Sequence, residues 1–133
     1  AAQGQVATDT RRFYEESYSS SNEEAFIEAM DLIAAMRDLI EEDNGRFIVV
    51  IWPLLEELDN YPFEAIHTKV SSALEQRQVA HLDLLDLFSG QDENRLHVHP
   101  TDHHPNEDAH AQAARTIAEE LRRRSWLPEH AEE

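Results

Sequence analysis

Four of the eight histidines of this 133-residue chain fall between positions 97 and 104, in the run Leu96-His97-Val98-His99-Pro100-Thr101-Asp102-His103-His104-Pro105-Asn106. Imidazole beside carboxylate is the pairing from which general bases are built. The carboxylate holds one ring nitrogen as a donor, and the other nitrogen is left to take a proton. Asp102 and His104 have the spacing for this. Pro105 biases His104 toward extended backbone, where side chains two apart point the same way, and His103 then faces away. Pro100 acts on His99 in the same manner. The prolines make the segment read as a directed loop too broken for regular structure.

The same residues allow two other readings. His97 and His99 alternate as strand neighbours would, and with His103 and Asp102 nearby they offer the imidazole and carboxylate set that suits zinc or a similar ion. No tight signature such as H-E-x-x-H accompanies them. The plainer reading is a solvated polar loop. His67 on a helix, His81 in a strand and His130 in the tail read as structural or surface residues.

The surrounding elements must position this loop. Residues 1–21 hold few groups to bury beyond Phe13, Tyr14 and Tyr18, so they read as a loosely ordered lead-in. From Asn22, a good N-cap, a helix runs to Asp43 with Phe26, Ile27, Met30, Ile33, Ala34 and Ile40 at helical spacing, and Asn44-Gly45 stops it. Phe47 to Trp52, ended by Pro53, is an unbroken apolar and β-branched run, which predicts a strand covered on both faces as in a parallel sheet. A second helix is expected from about Phe63 to Gln76, opened by Pro62, then a short strand at Val79–Leu84 and a helical turn at Leu85–Phe88. Asn106 caps a last helix from Glu107 to about Arg124, with Ala109, Ala113, Ile117 and Leu121 inward. Residues 125–133 form an acidic tail. The alternation predicts an α/β domain over 22–124, built on a parallel sheet. Two strands are few for it, since a doubly wound sheet generally needs about five to create its ligand-binding crevice.

Composition bounds the function further. There are 28 acidic against 11 basic residues, for a formal net charge of −17, which opposes binding to nucleic-acid phosphates and anionic membranes. The absence of cysteine removes disulfides, thiolate metal sites and a cysteine nucleophile. No apolar run approaches the roughly 20 residues that span a bilayer, so a soluble chain is expected.

Asp102-His103-His104-Pro105-Asn106-Glu107-Asp108-Ala109-His110 resembles the C-terminal D-x-H-P-N-x-x-G-H block of the SGNH (GDSL) hydrolases. Phe47 to Pro53, Leu58 to Phe63 and His81 to Leu85 resemble the late strands and connections of the same family, so the similarity extends over about residues 25–121. It implies a flavodoxin-like three-layer α/β/α sandwich with a parallel sheet, incomplete in this chain. It also implies hydrolysis of carboxylic esters, of the esterase, lipase or acetylesterase type on small-molecule, lipid or carbohydrate substrates, with no cofactor. His104 would be the base that activates a serine, and Asp102 would orient it. Ala109 replaces the family's glycine. The Gly-Asp-Ser nucleophile block and the oxyanion blocks are absent. The expectation is therefore a C-terminal fragment or subunit, inactive alone, whose partner is the N-terminal part of the same domain or a second protomer. A non-catalytic acidic α/β interaction module and a His-rich metal-binding protein at His97, His99 and His103 stand as alternatives.

Overall fold

Val49–Ile51 (β1) and His81–Asp83 (β2) pair in parallel, with Val49 opposite His81, Val50 opposite Leu82 and Ile51 opposite Asp83. Parallel pairing requires a long connection, and the chain between the strands runs through helix α3, Glu64–Gln76. The computed structural model describes residues 2–127. It is a mixed helix and sheet protein with one parallel pair, compatible with an α/β class in general. The β-branched run from Phe47 to Trp52 yields only three strand residues, all half-buried rather than enclosed on both faces. No helix among the described residues is long and apolar enough to cross a membrane.

The chain divides into two compact units. The first comprises the N-terminal residues through Phe47 and Pro62–Ala80. It is helical: α1 (Ala2–Ser17), α2 (Glu23–Glu42) and α3. The lead-in expected to be loosely ordered is thus helical over most of its length. Ion pairs at i,i+4 support that helix, Arg12 with Glu16 at 2.8 Å among them, and Tyr14 packs on Phe63 with ring centroids 5.4 Å apart. A reading based on how much a segment can bury overlooks such local pairs. The second helix ends where expected. Asn44 takes a left-handed φ of 60° and the Gly45 N–H donates to the Ile40 carbonyl oxygen, closing the last turn. Met30, Phe63, Ala73, Leu74 and Val79 are buried in this unit, as is His67. Arg77 donates to Asp31 at 2.8 Å and Arg37 donates to the carbonyl oxygens of Arg77 and Gln78, tying α2 to the end of α3.

The second unit comprises Ile48–Tyr61 and the residues from His81 onward. Its core gathers Leu55, Leu58, Leu84, Phe88, Leu96, Ala109 and Ala113, with Trp52 stacked on Phe88 at 5.5 Å. Helix α4 is the single turn Leu85–Phe88, and α5 runs from Glu107 to Arg123. Alanines at 109 and 113 let α5 approach closely, while Phe88 and Leu84 supply the bulk. Between α4 and α5 lies the histidine-rich segment. It is a β-hairpin, not an irregular loop: β3 (His97–His99) pairs antiparallel with β4 (Asp102–Pro105), His97 opposite Pro105 and His99 opposite Asp102. The prolines do not break it because Pro100 lies in the turn and Pro105 at the strand end, while the extended bias each imposes on its predecessor suits a strand. Of the acidic tail, residues 128–133, including His130, lie outside the described residues.

Candidate functional site

The hairpin is anchored from its far end. Asn106 caps α5 by accepting from the Ala109 N–H at 3.1 Å, and its amide nitrogen donates to the carbonyl oxygens of Arg95 at 2.8 Å and His97 at 3.2 Å. One side chain thereby joins the start of α5 to the strand opposite β4. Both Asn106 and Pro105 are set by the D-x-H-P-N run itself.

On β4 the Asp102 carboxylate meets His104 twice. Its Oδ1 lies 2.5 Å from His104 Nδ1 and accepts from the His104 backbone N–H at 3.2 Å. Two residues apart on extended backbone, the side chains share a face as expected. The His104 hydrogen bonds, first from the ring and then from the backbone, hold the Asp102 carboxyl below the usual aspartate range. With Nδ1 committed to Asp102, the neutral ring carries its proton there and Nε2 is the basic nitrogen. The imidazole is 86% exposed, so Nε2 is open to an incoming group.

His103 faces the other way. Its Nδ1 is 2.9 Å from Glu56 Oε1 and its Nε2 is 3.3 Å from the Pro100 carbonyl oxygen. The ring stacks on His97 with centroids 4.5 Å apart and planes within 10°. His97 Nε2 in turn lies 2.5 Å from the Leu55 carbonyl oxygen, and His99 Nδ1 lies 2.9 Å from Thr101 Oγ1. The hydrogen bond with Glu56 raises the His103 pKa above the ordinary histidine value. The trio considered for a metal is therefore not assembled. Stacked rings present faces rather than lone pairs to each other, and each histidine is engaged with a separate partner. Among the described residues no group of three or more histidine, aspartate or glutamate side chains is arranged to hold a metal ion.

A cleft of about 460 Å3 opens between β4 and the segment that leaves the carboxyl end of β1. Trp52, Pro53, Leu54 and Leu55 make one wall, and Asp102 and His104 lie on the other. Its place agrees with the general rule that parallel sheets bind ligands beyond the carboxyl ends of their strands. No serine lines it among the described residues, and the Thr101 hydroxyl in its wall is engaged with His99. His110, on α5, sits with its ring 5.6 Å from that of Trp52.

Glu56 and the Leu55 carbonyl had no signal in the sequence. They lie more than forty positions from their histidine partners, in a stretch that reads as an ordinary acidic connection. Comparison with protein-family models, curated proteins and solved structures found no match to this chain.

Proposed function

We propose that this chain contributes the carboxylate and histidine of a serine ester hydrolase of the SGNH type, within a flavodoxin-like α/β/α sandwich, and that the nucleophilic serine and oxyanion donors come from a partner segment or protomer. The observation that carries the reading is the Asp102–His104 hydrogen bond at the edge of an apolar cleft beyond β1. His104 Nε2 takes the serine proton as the hydroxyl attacks the ester carbonyl, Asp102 stabilises the imidazolium formed, and His104 then returns the proton to the leaving alcohol. The wall of Trp52, Pro53, Leu54 and Leu55 suits the apolar part of an ester. The test uses tagged full-length chain to recover its partner from source extract, followed by a fluorophosphonate probe, which labels activated serines. A co-purifying polypeptide that labels with wild-type chain and not with His104→Ala supports the reading. Recovery of no labelled polypeptide overturns it.

A second reading, a non-catalytic interaction module, is favoured by one observation. Helix α2 exposes a second apolar stripe, with Leu32, Met36 and Leu39 at 60%, 52% and 66% exposure and at heptad spacing. Under that reading Leu39→Glu abolishes partner capture while His104→Ala leaves it intact and no labelled serine appears.

A further inference from the structure

Asp102 and His104 both lie on β4, and their mutual hydrogen bond does not join that strand to the segment leaving β1. The residue between them does. His103 has an oxygen at each ring nitrogen: the Glu56 carboxylate 2.9 Å from Nδ1 and the Pro100 carbonyl 3.3 Å from Nε2. A carbonyl oxygen and an ionised carboxylate can only accept. Neutral imidazole has one N–H, so either tautomer would set a ring lone pair against an oxygen lone pair. The imidazolium satisfies both contacts at once. Its face rests on His97, whose Nε2 meets the Leu55 carbonyl. Leu55 and Glu56 are consecutive, so two stacked rings, one from each strand of the hairpin, are pinned to adjacent positions of the same segment.

We infer that His103 is a positioning residue, a charged clamp that holds the hairpin and its Asp102–His104 pair against the segment after β1 and releases them when it loses its proton. The groups that face it favour the cation. Glu56 approaches from the segment after β1, the Pro100 carbonyl from the turn and Asp102 from its own strand, while His97 from β3 offers a ring face. The clamp then stays closed to higher pH than an ordinary histidine would hold it, and opens as His103 loses its proton. Its value to catalysis rests on the hydrolase reading; the clamp itself does not.

The test is NMR on the full chain with 15N-labelled histidine, followed from about pH 5 to about pH 9, the range in which imidazoles titrate. His103 keeps both ring nitrogens protonated to higher pH than an ordinary imidazole, and the ring-to-ring NOE between His97 and His103 disappears as His103 titrates. Glu56→Gln, which leaves an uncharged acceptor, moves both events together to lower pH. Titration of His103 at the ordinary imidazole value and unmoved by Glu56→Gln overturns the inference, as does an NOE that survives deprotonation. None of these readouts uses catalysis, so a failed clamp and a failed hydrolase assignment are separately visible.

Discussion

His104 presents Nδ1 to Asp102 at 2.5 Å, and this one contact decides which ring nitrogen can do chemistry. The carboxylate accepts, the proton sits on Nδ1, and Nε2 becomes the site that gains and loses a proton. Asp102→Asn keeps the shape but can present an N–H, which favours the opposite tautomer. In the recovered complex, kcat/KM for a chromogenic acetyl ester is expected to fall at least about a hundredfold, the low end for loss of a general base. Circular dichroism of the variant should be unchanged, because the pair is exposed and carries little of the fold.

Phe88 is fully buried, stacked on Trp52 and surrounded by Leu84, Leu96 and Ala109 in the core of the second unit. Phe88→Ala removes the largest side chain of that core and leaves a cavity that the β-hairpin and α5 cannot collapse to fill. A loss of about 3–5 kcal/mol is expected in urea unfolding followed by tryptophan fluorescence. Phe13→Ala, at a position 63% exposed, should cost much less.

Asn106 is expected to matter beyond its cap. Replacing it with alanine removes the acceptor for the Ala109 N–H and leaves the carbonyl oxygens of Arg95 and His97 without their donor. Cap loss alone costs about 1 kcal/mol, and the unmet carbonyls add a similar amount. Asn106→Asp keeps the cap acceptor, so it should recover the α5 share of the loss while leaving the hairpin amide resonances of β3 perturbed.

Acid should loosen the end of α5. Glu120 accepts from Arg123 and Arg124 at 2.7 Å and 2.6 Å, and these bonds lower its pKa from 4.5 to about 2. A group depressed on folding stabilises the protein above its unfolded pKa and ceases to do so as pH falls through the folded one. The contribution is therefore present above about 4.5 and lost between there and about 2. Asp102, also lowered, follows the same sign at the hairpin. Helical circular dichroism titrated across this window should show a step that Glu120→Gln diminishes.

Gly45 lies just past α2, and a Cβ there would stand 2.5 Å from Ile40 Cγ2 and 2.8 Å from the Ile40 carbonyl oxygen. The side-chain methyl can move but the backbone oxygen cannot, because it already accepts from the Gly45 N–H. Gly45→Ala should destabilise the first unit by about 1–3 kcal/mol in thermal unfolding, despite the lower entropy of alanine in the unfolded chain.

What could be read from the residues alone was local. Asn106 as the cap of α5, Asn44-Gly45 as the stop of α2, and the two strands near Val49 and His81 are set by side chains acting within a few positions of themselves. So is the shared direction of Asp102 and His104, which follows from period-two geometry and Pro105. The readings that needed revision were also local in origin. Prolines in the histidine run suggested a broken loop, yet their φ restriction fits the turn and the strand end of a hairpin once a second strand is there to pair with. Sparse burial in residues 1–21 hid a helix that ion pairs and the Tyr14–Phe63 contact support.

The remaining features arise where distant segments meet. Glu56 takes hold of His103 across 47 positions, and the Leu55 carbonyl meets His97 across 42. Pairing of β1 with β2 brings the carboxyl end of β1 back to the hairpin, and packing around Phe88 keeps it there. A hydrogen bond between such partners leaves no periodicity, cap or turn chemistry behind. For this reason the Asp102–His104 pair was legible before folding, whereas the cleft beside it and the His97–His103 stack held by Leu55 and Glu56 were not.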